Sequence, residues 1–135
     1  MKDSLKPGLT TTRKLTVDEP RTISHLGEDL RVYATPELLR DIEQTCLAFI
    51  AEHADPGEHS VGAGVELKHL APTPMGMQVE ITATVAKVEG RAVDFDVTAT
   101  DGIDEICRCK HGRFVVLIDK VKERVAAKKA KAAGG

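Results

Sequence analysis

Near residue 57 the apolar period of this chain changes from 3.6 to two, and the strand-like period then holds to about residue 118. One helix followed by consecutive strands on short turns leaves few architectures open. The spacing predicts the helix over about 36–53. Leu38, Leu39, Ile42, Cys46, Phe49 and Ile50 recur at helical intervals and form one apolar stripe. Thr35 reads as its N-cap, because a threonine hydroxyl can accept from an orphan backbone N–H. Pro36 is tolerated at the first helical position, Glu37 suits the helix dipole, and Asp55-Pro56-Gly57 ends the run.

Beyond that stop, Ala63, Val65, Leu67, His69 and Ala71 alternate with Gly64, Glu66 and Lys68, so the two sets point to opposite faces of a strand. Pro72-Thr73-Pro74-Met75-Gly76 is a turn into a second run through Val79, Ile81, Ala83 and Val85. Glu89-Gly90-Arg91 turns into Val93, Phe95, Val97 and Ala99, and Asp101-Gly102 leads to a last run from Glu105 to Ile118. Upstream, residues 8–17 suit an extended segment, and residues 24–34 read as an irregular crossing. Short turns predict antiparallel neighbours. The fold class is α+β, a helix packed on an antiparallel sheet. One helix covers one face only, so the other face is expected to need a partner, and a homodimer is the commonest solution.

Bulk properties narrow the partners. The 135 residues allow one domain, and a net charge of -2 gives no general attraction for nucleic acid or an anionic membrane. The aromatics are Tyr33, Phe49, Phe95 and Phe114, with no Trp, too few for base-stacking platforms. No apolar stretch approaches the roughly 20 residues that cross a bilayer. With no signal-like N-terminus and an odd set of Cys46, Cys107 and Cys109, the expected location is cytoplasmic, with reduced thiols. The domain is expected over 1–120. A basic Ala/Lys-rich tail over 121–135 follows, either solvated or a local electrostatic aid for a polyanionic ligand.

Several residues could carry chemistry. Glu43 falls beside Leu39, Cys46 and Ile50, at the rim of the helix's apolar arc, where a carboxylate can be a base or nucleophile or merely a boundary group in solvent. Thr35 can be a cap and nothing more, but a hydroxyl among free helix N–H groups also favours a developing oxyanion. Thr35 and Glu43 stand about two turns apart, roughly 12 Å along the axis, and can border one elongated site. His69 is in phase with Val65 and Leu67 and can be a core histidine or an acid/base at near-neutral pH. Cys107, Cys109 and His111 share a face of the last strand, yet they lack the four-ligand spacing of a zinc site, and no metal is expected. Arg113 continues that face with a guanidinium able to fork onto phosphate or carboxylate.

Taken in order, the stretches Ala34-Thr35, Asp55-Pro56-Gly57-Glu58, Ser60-Val61-Gly62, His69-Leu70-Ala71-Pro72-Thr73-Pro74, Val88-Glu89-Gly90-Arg91, Asp101-Gly102-Ile103-Asp104-Glu105-Ile106 and His111-Gly112-Arg113 resemble the fluoroacetyl-CoA thioesterase-like family. The resemblance covers nearly the whole chain. It implies a hotdog fold, in which a sheet wraps a long helix and two subunits form a homodimer or a higher oligomer. It also implies acyl-CoA thioester hydrolysis, with CoA entering as part of the substrate and no cofactor. The family's catalytic threonine, glutamate and histidine fall on Thr35, Glu43 and His69, and its site glycine and arginine on Gly62 and Arg113. The crossing Gly27-Glu28-Asp29-Leu30-Arg31-Val32-Tyr33 departs from the fluoroacetyl-specific pattern: it is shorter and polar, whereas a pocket for a very small acyl group wants tight apolar walls. A different short or medium acyl group is expected. Two other classes stay open on such a fold: a module that holds acyl-CoA without turnover, and a hydratase or dehydratase.

Overall fold

The computed structural model describes residues 1–134. In chain order it contains β1 (Thr10–Thr16), α1 (Thr35–Ala51), β2 (Glu58–His69), β3 (Gln78–Glu89), β4 (Ala92–Thr100), β5 (Glu105–Leu117) and α2 (Ile118–Ala132). Two single-turn 3-10 helices, Glu19–Arg21 and Glu28–Leu30, lie in the crossing between β1 and α1. The strands form one sheet in the order β1-β3-β4-β5-β2, and every pairing is antiparallel.

The β3–β4–β5 meander follows the expected turns. Gly90 has φ 59° between β3 and β4, a left-handed conformation that glycine adopts without a Cβ penalty. The expectation that all consecutive strands are neighbours fails at β2, which pairs with β5 and not with β3. Residues 70–77 do not make a hairpin because they are tied to other segments. Tyr33 N–H donates to the Thr73 carbonyl at 2.8 Å, Met75 N–H to the Arg31 carbonyl at 3.0 Å, and the Thr73 hydroxyl to Asp101 at 2.9 Å. The connection thus spans the sheet, and β1 occupies the free flank of β3.

The core lies between α1 and one face of the sheet. Leu38, Ile42, Cys46, Phe49 and Ile50 of α1 meet Val79, Ile81, Ala83 and Val85 of β3 and Val93, Phe95, Val97 and Ala99 of β4. Each buried side chain of this size contributes about 1.5–3 kcal/mol, and truncating Phe95 to Ala removes about 3–5 kcal/mol. The opposite face, from which a need for a partner was expected, is polar on two strands: β3 and β4 present Glu80, Thr82, Thr84, Asp94, Asp96 and Thr98 there, and neither strand carries an exposed large hydrophobic residue. Apolar exposure gathers instead on β2 and its neighbour, at Val61 (47%), Val65 (46%) and Phe114 (45%). Next to them, α2 leaves a groove of about 620 Å³ lined by Val61, Val116, Ile118, Val121 and Val125. The basic tail is helical through α2, and Gly135 lies outside the described residues.

Candidate active site

The site lies in the seam between α1 and β2, and a bulge in β2 decides which residues face it. Gly62 pairs with Arg113 and Gly64 with Gly112, so Ala63 is an extra residue with no partner. Cross-strand partners share a face. Ser60 and Gly62 therefore face α1 with Val115 and Arg113, and after the bulge Val65, Leu67 and His69 do so with His111, Cys109 and Cys107. Strict alternation places Ala63 on that face, and the bulge substitutes Gly62.

Two groups of side chains result. At the start of α1, Thr35 Oγ1 lies 2.8 Å from His69 Nδ1. Thr35 is not the N-cap: Ala34 holds that position, with no side-chain cap hydrogen bond. The hydroxyl is therefore committed to the imidazole. His69 Nε2 is buried and has no hydrogen-bond partner among the described residues, and burial lowers the imidazole pKa below its ordinary value. The surrounding groove of about 300 Å³ includes Ile23, Val32, Ala34, Leu70 and Pro72. A neutral imidazole at hydrogen-bond distance from a hydroxyl can take its proton and make it a nucleophile, or hold it against a carbonyl.

Two turns along α1, Glu43 is half-exposed, and its Oε2 stands 3.6 Å from Arg113 Nη1. Gly62 is packed so closely that a Cβ added there would lie 2.9 Å from Glu43 Oε2 and 3.7 Å from Arg113 Nη1. Only glycine leaves the carboxylate its place. Arg113 is 3% exposed, donating from Nε to Ser60 Oγ at 2.9 Å and from Nη2 to the Ser60 carbonyl at 3.1 Å. Its fork is used inside the protein, and the carboxylate it faces is that of Glu43. Burial lowers its pKa, and Glu43 opposes that shift. No hydrogen bond or ion pair joins the Glu43 group to Thr35 or His69 among the described residues. Both groups face the same seam.

A third constellation fixes the crossing to α1 and went unread in the sequence. Asp41 is buried on α1 and receives Arg21 Nε at 2.9 Å and Nη2 at 3.1 Å, together with the Tyr33 hydroxyl. Arg21 and Tyr33 belong to the two ends of the crossing, so one carboxylate clamps the crossing onto α1. Tyr33 then presents its ring edge-on to His69, with centroids 6.4 Å apart. The missed signal was the spacing of Leu38, Asp41, Ile42 and Thr45, which puts Asp41 inside the buried arc. Cys107 and Cys109 do share a face with His111, but they pack in the core, with thiols pushed up to about 12 and about 11 by burial. Among the described residues no three His, Cys, Asp or Glu side chains are gathered as a metal site.

Comparison with known proteins places the whole chain. Residues 17–119 match the family described as fluoroacetyl-CoA-specific thioesterase. The fluoroacetyl-CoA thioesterase of Streptantibioticus cattleyicolor is 34% identical over 135 residues, covering 95% of this chain and 97% of the relative. A crystal structure of a mutant fluoroacetyl-CoA-specific thioesterase superposes with a TM-score of 0.84 at 34% identity, covering 94% of this chain and 99% of the other. A Thermus thermophilus thioesterase superfamily member gives 0.85 at 26% identity, with 96% of each chain covered. A hot-dog-like protein from Thermanaerovibrio acidaminovorans gives 0.84 at 26%, covering 90% and 91%. The helix wrapped by an antiparallel sheet is thus the hotdog fold, and the chain belongs to the fluoroacetyl-CoA-specific thioesterase family of thioester hydrolases.

Proposed function

We propose that this chain hydrolyses the thioester of a short or medium acyl-CoA, with Thr35, Glu43 and His69 as the catalytic set and Gly62 and Arg113 shaping the substrate side. The observation that carries the reading is the 2.8 Å contact between Thr35 Oγ1 and His69 Nδ1, made by a hydroxyl free of capping duty, in a seam that also holds the Glu43 carboxylate beside Gly62. Thr35 positions the thioester at the helix start, where N–H groups favour negative charge. His69 manages the proton that reaches the departing thiolate. Glu43 attacks the carbonyl carbon or removes a proton from the attacking water, and a backbone N–H near Gly62 stabilises the oxyanion. Arg113 serves the substrate through Glu43. Single turnover in oxygen-18 water tests the covalent role: label in the Glu43 carboxylate requires an acyl–Glu43 anhydride whose bond to oxygen is broken by water attack at the Glu43 carbonyl carbon.

The acyl range is read as wider than fluoroacetyl alone because the crossing is shorter than the fluoroacetyl-specific pattern; its charged residues Glu28 and Arg31 pair with each other at the surface. A panel of acyl-CoA esters that includes fluoroacetyl-CoA tests the reading. Thiol release across the short and medium esters supports it; a ligand-induced thermal shift without turnover would identify a binding module instead, and a change in chain unsaturation a hydratase.

The working unit is a homodimer joined through β2. That strand is a sheet edge with an unpaired row of backbone groups, and Val61 and Val65 are exposed on it, a combination that invites strand pairing. Light-scattering mass on the native protein and on Val65→Lys tests this, a monomeric native protein being the contrary result. The catalytic domain ends near residue 120, with 121–135 as a basic appendage and the cytoplasm as the location. No helix among the described residues is long and apolar enough to cross a membrane.

A further inference from the structure

His111 lies outside the catalytic set, yet it touches both elements that place Glu43. It is 2% exposed on β5 and uses both ring nitrogens. Nδ1 is 2.8 Å from the Gly64 carbonyl, and a carbonyl can only accept, so Nδ1 carries the proton. Nε2 is therefore the lone-pair nitrogen, and it faces Arg113 Nη1 at 3.3 Å, which can only donate. The two contacts fix one tautomer without any third group.

Each contact leads to the carboxylate. Gly64 closes the β2 bulge that turns Gly62 toward α1, and Nη1 is the arginine nitrogen nearest Glu43 Oε2. Nε and Nη2 are already taken by Ser60, so the imidazole is the remaining partner that holds the guanidinium plane. We propose that His111 is a positioning residue: the Gly64 carbonyl selects its Nδ1–H tautomer, and the free Nε2 is then the acceptor that holds Arg113 and so sets where the Glu43 carboxylate stands. The inference rests on the reading of Glu43 as catalytic.

Two substitutions divide the contacts. In His111→Gln the side-chain amide reaches the place of Nε2 and offers Arg113 an oxygen. In His111→Asn the amide reaches the place of Nδ1, offers the Gly64 carbonyl an N–H, and leaves Arg113 without an acceptor. With thiol release from an acyl-CoA as the readout, H111N is expected to lower kcat by about tenfold or more with KM nearly unchanged, the signature of a misplaced reacting group. H111Q is expected to stay within about threefold of the native kcat, since it keeps the acceptor. Equal losses in both variants, or native kcat in H111N, would overturn the proposal. Nitrogen-15 NMR of the native protein tests the same claim without mutation: a neutral Nδ1–H imidazole at position 111 supports it, and an Nε2–H tautomer contradicts it. Glu43→Gln is run alongside. Full activity there removes the catalytic reading of Glu43, whereas loss there beside a native H111N removes only the positioning role.

Discussion

The two ends of the α1–β2 seam are built on opposite plans. At the helix start, Thr35 and His69 hold each other through one contact, in a groove open to solvent, with His69 Nε2 left unpaired. At mid-helix, the carboxylate of Glu43 is half-exposed, but everything beneath it is fixed: Arg113 is buried, its nitrogens are committed to Ser60 and His111, and Gly62 closes against it. A group that must exchange protons with substrate needs spare hydrogen-bonding capacity, and the first end has it. A charge that must stand in one place needs its neighbours saturated, and the second end supplies that. On the proposed function, the seam joins a proton-exchanging end to a held end.

The contrast can be broken at either end. The largest effect is expected for Glu43→Gln and His69→Ala, each lowering kcat for thiol release by at least about 100-fold; near-native rates in both would remove the division of labour. Gly62→Ala comes next. Its methyl would stand 2.9 Å from Glu43 Oε2, so the carboxylate must move, and kcat/KM should fall by about tenfold while the thermal midpoint stays close to native. An unchanged rate would show that the held end tolerates displacement.

Asp41→Asn tests the clamp that holds the crossing, and with it Tyr33 beside His69, against α1. It weakens the charge-assisted fork from Arg21 and the contact from Tyr33, and a loss of about 2–4 kcal/mol in urea unfolding is expected. Stability within a few tenths of native would mean that the crossing is held by something else. The smallest effect concerns pH. Burial keeps both His69 and His111 below the ordinary imidazole pKa. Between those lowered values and about 6.5 the unfolded chain binds protons that the folded chain does not, so stability rises with pH across that window and gains nothing above it. Urea midpoints at pH 7.5 and 5.5 should show the lower value at 5.5, and His69→Ala should reduce the difference. An equal or higher midpoint at 5.5 would contradict the burial of these rings.

Much of the fold was legible because it follows from local period. The α1 stripe through Leu38, Ile42, Cys46 and Phe49 and the alternation in β3 and β4 match the burial found. The position of β2 was not legible, since nothing in residues 70–77 announces that Thr73 and Tyr33 will be tied together. The hydroxyl of Thr35 was read as a cap because its sequence neighbours favour one; its actual partner is 34 residues away. Glu43 at the rim of the apolar arc was readable from a helical wheel, whereas Arg113 beneath it needed the β2–β5 register, which a bulge shifts. Family resemblance supplied what period could not: it named Gly62, which strict alternation puts on the wrong face.

That bulge has a consequence for comparing sequences. The side chains of β2 facing the helix are even-numbered up to Gly62 and odd-numbered from Val65, while their partners on β5 keep a single parity. A homologue lacking the residue equivalent to Ala63 could therefore preserve every inward cross-strand pair, so a one-position gap at that point of an alignment would conserve the architecture. A gap a few positions away on β2 would reverse which side chains look inward, and should be doubted before it is believed.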